Sequence, residues 1–139
     1  MGNMKIIDLG GGAECRISDN GDKFWLLNGK LHRTDGPAIQ GADGNKCWYL
    51  NGDYHRTDGP AIEWADGAKE WYINGELHRT DGPAVEYADG NKCWCLNGKY
   101  HRTDGPAMEN ANGNKYWYIN GIRYSKEDFN MVKEVLWAI

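Results

Sequence analysis

His32, Arg33 and Asp35 fall within four residues and are followed by Gly36-Pro37-Ala38. An imidazole, a guanidinium and a carboxylate so close suit three kinds of chemistry. They can act as a base with an orienting acid, contribute to a metal-ligand set, or grip an anion. The same heptad, HRTDGPA, begins again at His55, His78 and His101. Four copies at one interval form either a site used four times or a joint used four times.

Each chemical reading makes a demand of its own. Zinc needs its ligands within ~2.0–2.3 Å of one point. Equivalent residues in a stacked array stand about 10 Å or more apart, so the four histidines share no ion. Catalysis needs a nucleophile, a base and an oxyanion donor converging from different elements. Thr34, Thr57, Thr80 and Thr103 repeat beside the histidines but carry no signature of activation. No catalytic residue, metal or cofactor is therefore assigned. An anion grip would use Arg33, Arg56, Arg79 and Arg102 as a row. The joint reading covers the most: Arg pairs with Asp, His donates to a carbonyl, and Pro removes an amide where the ladder lacks a partner.

The elements that carry the heptad are themselves periodic. Trp25, Trp48, Trp71, Trp94 and Trp117 recur every 23 residues, as do Asn28, Asn51, Asn74, Asn97 and Asn120, each followed by Gly. One unit reads WYLNGDYHRTDGPAIEWADGAKE from Trp48. Asn51-Gly52 predicts a type I′ hairpin turn, Asp66-Gly67 a second, and Asp58-Gly59-Pro60 an open turn. KCWYL and PAIEWA are short, aromatic and β-branched, as strands are, with DYH a short third. The Trp column then lines one face, with Tyr49, Tyr72 and Tyr118 pointing the other way. Fourteen of the 19 Gly stand in these turns. Repeats this regular are the architecture.

The ends depart from the pattern. Residues 4–18 supply an irregular opening strand or two. Tyr124 stands where the last His would be, and Ser125 with Asp128 has capping-box spacing before a helix whose inner stripe is Phe129, Val132, Lys133 and Leu136. The expected fold is all-β: an elongated antiparallel β-meander or solenoid of about five 23-residue units with a short C-terminal capping α-helix. Residues 1–18 form the N-terminal cap, and 19–124 the array, with units near 25–47, 48–70, 71–93, 94–116 and a partial 117–124. Residues 125–139 form the helix.

Composition narrows the function. The chain has 139 residues, seven Trp, eight Tyr and a net charge of −4. The aromatic load argues for a folded protein. No basic footprint for long nucleic acid is visible, nor an apolar run of the ~18–20 residues that a membrane helix needs. The N-terminus has no signal-peptide core, and Ile6 stands where a myristoylation signal at Gly2 wants Ser or Thr. Cys15, Cys47, Cys93 and Cys95 fit neither zinc nor redox spacing and read as reduced apolar residues in a cytoplasmic protein. Cys47 and Cys93 share a strand position with Phe24, Glu70 and Tyr116, which reads as a tolerant surface.

The unit resembles the MORN repeat, with WYLNG, a following His and ADG at the corresponding places over roughly residues 14–124. Its HRTDGPA run resembles the HRxDGPA variant in repeat proteins of tailed phages and some bacteria. The resemblance implies a β-rich scaffold with no inherited active site, phage-encoded and docking on a host protein in the host cytoplasm, with inhibition of a host defence as one purpose. If the constant columns are scaffold, the variable ones carry identity. Gly41, Trp64, Tyr87 and Asn110 vary most, beside Gln40, Glu63, Glu86 and Glu109. Trp64 and Tyr87 flanked by Glu63 and Glu86 suit an interface centre. Alternatively they pack on the sheet while Glu63 and Glu86 pair with the Lys column. Two other functions stand beside protein binding. One is a binder of small anions such as nucleotides through Arg56 and Arg79. The other is a self-assembling element, a homo-oligomer through open sheet edges.

Overall fold

The computed structural model describes residues 2–137 and falls into two compact units that divide between Glu76 and Leu77. Each is antiparallel β-sheet, and the second also carries the helix. The chain is all-β with a C-terminal helix, as its periodicity predicts.

The first unit opens as a meander of β1 (Lys5–Gly10), β2 (Ala13–Ile17) and β3 (Lys23–Leu27), with β4 (Lys30–Leu31) folded back on the end of β3. Then come β5 (Ile39–Gln40), β6 (Lys46–Cys47), β7 (Tyr49–Leu50), β8 (Asp53–Tyr54), β9 (Ile62–Glu63) and β10 (Lys69–Glu70). The sheet runs β3-β5-β6-β9-β10, while β7 and β8 form a hairpin of their own. β11 (Tyr72–Ile73) and β12 (Glu76–Leu77) follow.

In the second unit β13 (Val85–Glu86), β14 (Lys92–Cys93), β15 (Cys95–Leu96), β16 (Lys99–Tyr100), β17 (Met108–Glu109), β18 (Lys115–Ile119) and β19 (Ile122–Tyr124) precede α1 (Lys126–Trp137). Their sheet order is β13-β14-β17-β18-β19, and β15 pairs only with β16. The short third strand of the repeat is thus real.

The Trp strand differs from expectation. Within the array it breaks at Trp48 and Trp94, the half before each Trp staying in the main sheet and the half after joining the separate hairpin. The Trp backbone stays bonded, but to the heptad. Trp48 N–H donates to Ala61 O at 2.7 Å, and Trp48 O accepts from His55 N–H at 3.1 Å. At the first repeat β2 offers β3 a five-residue ladder, and the strand runs unbroken through Trp25.

The turns divide likewise. All five Asn-Gly pairs have positive φ at both residues, Asn51 at 50° and Gly52 at 86°, as a type I′ turn requires. Asp66-Gly67 is a different turn. Only Gly67 has positive φ, Trp64 N–H donates to Ala68 O at 2.9 Å, and Gly67 N–H donates to Trp64 O at 3.0 Å. The loop is one step longer because Asp66 Oδ1 takes the Ala68 N–H at 2.9 Å, an Asx turn that removes the need for a second left-handed residue.

The core is built from small residues. Ala38, Ala61, Ala84 and Ala107 of the four heptads are fully buried, joined by Ile62, Val85 and all four cysteines. Cys47 and Cys93 are therefore core positions, which corrects the expectation of a tolerant surface. Burial pushes the Cys47 thiol up to about 11 and the Cys95 thiol up to about 12.

At the C-terminus Ser125 Oγ accepts the Asp128 N–H at 3.1 Å, the predicted N-cap. Phe129 is buried as α1 packs on β18 and β19, whereas Leu136, expected on the inner stripe, is exposed. The expected helix extended to residue 139; Ala138 and Ile139 lie outside the described residues.

Candidate functional site: the heptad joint and the open aromatic positions

Three consecutive residues of each heptad region clasp the next hairpin. Leu31 O accepts from Gly52 N–H at 2.8 Å, His32 Nδ1 accepts from Asn51 N–H at 2.9 Å, and Arg33 N–H donates to Tyr49 O at 3.2 Å. The clasp recurs from 54–56 onto 72–75, from 77–79 onto 95–98 and from 100–102 onto 118–121. Each imidazole accepts through Nδ1, so its proton sits on Nε2. This reverses the expected sense, in which His donates to a carbonyl. The reason lies in the I′ turn, whose first amide points out of the hairpin and needs an acceptor from outside.

Arg56 then folds back over its own repeat. Its Nε donates to Asp58 Oδ1 at 2.8 Å, its Nη1 donates to Pro60 O at 3.0 Å, and its guanidinium lies 3.8 Å from the Trp48 ring centroid. Arg33 on Trp25 and Arg102 on Trp94 repeat this at 3.9 Å. The glycine after Asp makes the fold-back possible. A Cβ on Gly59 would stand 2.9 Å from the Arg56 guanidinium carbon, so a side chain there would push the guanidinium from its present position across the turn. The Arg hydrogen bond, with its positive charge, holds Asp35, Asp58 and Asp81 below the usual carboxylate range.

The six residues singled out from the sequence divide between the units. In the first, Arg56 Nη1 lies 3.6 Å from Glu63 Oε1. In the second, Arg79 Nη1 lies 3.3 Å from Glu86 Oε1, with Nε on Asp81 at 2.9 Å. The glutamates thus pair with heptad arginines and not with the Lys column. Lys69 and Lys92 stand across the ladder from them on the same face, but it is the half-buried guanidiniums that come within ion-pair distance of the carboxylates. Trp64 is 40% and Tyr87 50% exposed. Trp64 Nε1 donates to Glu70 Oε2 at 2.6 Å, and Tyr72 OH donates to Glu70 Oε1 at 3.1 Å. The indole is held at its polar edge with its ring open.

Sequence reasoning missed Glu70 as the residue that fixes Trp64. The signal was present, because Glu70 is the one acid in a column otherwise filled by Phe, Cys and Tyr. It also missed the two clefts between successive heptads, described below. Among the described residues no three His, Cys, Asp or Glu side chains are grouped to hold a metal, and no helix is long and apolar enough to cross a membrane. No family model matches the chain, and no curated protein is similar to it.

Proposed function

We propose that this is a non-enzymatic, MORN-like repeat scaffold that binds a protein partner through open aromatic positions on a rigid joint framework. The observation that carries the reading is Trp64: a large ring, 40% exposed, whose N–H is already satisfied by Glu70. An anchor oriented before binding loses little conformational freedom in the complex. Tyr87, half exposed, occupies the same repeat position in the second unit. The heptads supply the framework, since their imidazole Nδ1 atoms and guanidinium Nε atoms are spent on internal bonds. The resemblance to repeat proteins of tailed phages makes a bacterial host protein the natural partner, and its interference with a host factor the natural consequence.

The test is capture from host lysate with three baits: the native chain, Trp64→Ala with Tyr87→Ala, and Lys30→Ala as a surface control. The native and control baits capture one specific protein, and the aromatic variant loses it by at least tenfold. Equal capture by all three, or no specific protein with the native bait, contradicts the reading.

A further inference from the structure

Each unit contains one open cleft between two successive heptads. In the first it measures about 630 Å³, is walled by residues 33–36 and 55–58, and has Trp48 and Leu50 between the walls. In the second it measures about 620 Å³, with walls at 79–82 and 101–104, and Trp94 and Leu96 between them. The same residue types line both in the same order, and both volumes fall within the ~300–1,000 Å³ of small-molecule sites.

The lining chemistry narrows the ligand. An anion is poorly served, because the arginines are already neutralised. Arg33 is bonded to Asp35 at 2.9 Å and Arg56 to Asp58 at 2.8 Å, and Glu63 is a further carboxylate near Arg56. The Asp35 and Asp58 side chains are each 82% exposed, so an approaching phosphate meets carboxylate first. The groups left unused are neutral or accepting. The Thr34 and Thr57 hydroxyls have no hydrogen-bond partner among the described residues, and Asp58 bonds Arg56 through Oδ1, leaving Oδ2 as an acceptor. Between these polar walls lie an indole and a leucine.

A neutral pyranose matches this lining. Its C–H face packs against Leu and the part of the indole that the guanidinium leaves uncovered, and its adjacent hydroxyls donate to Asp Oδ2 and exchange hydrogen bonds with Thr. It brings no charge to be compensated. We propose that the two clefts are equivalent binding sites for neutral carbohydrate, a function separate from the protein-binding reading.

The test is saturation-transfer NMR and calorimetry with neutral disaccharides of glucose, galactose, mannose and N-acetylglucosamine, against a sulfated disaccharide and ATP. At least one neutral sugar binds, and more tightly than either anion. Thr34→Val with Thr57→Val and Thr80→Val with Thr103→Val each weaken it, and all four together weaken it at least tenfold with an unchanged circular dichroism spectrum. The proposal is overturned if no neutral sugar binds at millimolar concentration, if ATP or the sulfated sugar binds more tightly, or if the fourfold variant binds like the native chain.

Discussion

Two tryptophans sixteen positions apart meet different fates in one unit: Trp48 is half-buried beneath Arg56, and Trp64 is exposed. Trp48 has the Arg56 guanidinium on its ring, its N–H on Ala61 O and its carbonyl on His55 N–H. Trp64 opens a surface loop, and its indole is held at one edge by Glu70. The first belongs to the period and the second to the variable column. In this pair the repeated ring helps hold the chain together, and the ring outside the period is presented outward.

The comparison breaks most visibly at Trp48. Trp48→Ala removes the surface on which Arg56 and the strand change are built, and it lowers unfolding free energy by about 3 kcal/mol in urea titration. A loss below about 1 kcal/mol would place Trp48 with the exposed residues. Gly59→Ala comes next. The new methyl displaces Arg56 from the indole and from Pro60 O, for a loss of about 2 kcal/mol. Arg56→Ala loses a similar amount, and the double variant loses no more than the larger single effect, because both act on one contact. His55→Ala frees the exposed Asn74 amide to water and costs about 1 kcal/mol. Trp64→Ala is the smallest, within about 0.5 kcal/mol of native stability, so that any loss of capture by the Trp64→Ala, Tyr87→Ala bait would not come from unfolding.

The pH profile sharpens the same contrast between buried and exposed groups. The Cys47 and Cys95 thiols are raised by burial, so the stability they contribute is whole below the unfolded thiol value of ~8.5. It drains away as pH climbs through about 11 and about 12. The carboxyls of Asp35, Asp58 and Asp81 are lowered by their arginines. Their contribution is present above ~3.9 and is lost as pH falls through the lowered values. These carboxylates are exposed, so salt weakens the acid limb and leaves the alkaline limb in place. Urea midpoints measured from pH 3 to pH 11, with and without 0.5 M salt (about a 4 Å screening length), check both limbs. Stability that rises between pH 9 and pH 11 would contradict the burial argument.

Much of this was legible in the residue order. Asn51-Gly52 announces its turn because positive φ at two successive residues leaves few alternatives, and Ser125 announces α1 through the amide it caps. The misread features depend on partners distant in sequence. The strand change at Trp48 follows from bonds to Ala61 and His55, and the burial of Cys47 from strands on both sides of β6. The repeat marks His32 as structural but suggests the opposite sense of its bond, because its acceptor role is set by an amide nineteen residues away. Trp64 stands out in the sequence as a variable position, yet the carboxylate that orients it sits across the loop at Glu70.

The central claim is that the heptad histidines are fastened to the next hairpin and are not available as bases. NMR coupling across the hydrogen bond between the Asn51, Asn74, Asn97 and Asn120 amides and the Nδ1 atoms of His32, His55, His78 and His101 tests it most directly. The account predicts a resolved coupling for all four pairs at neutral pH, with the imidazole proton on Nε2. Imidazoles protonated at Nδ1, with no coupling to those amides, would contradict it.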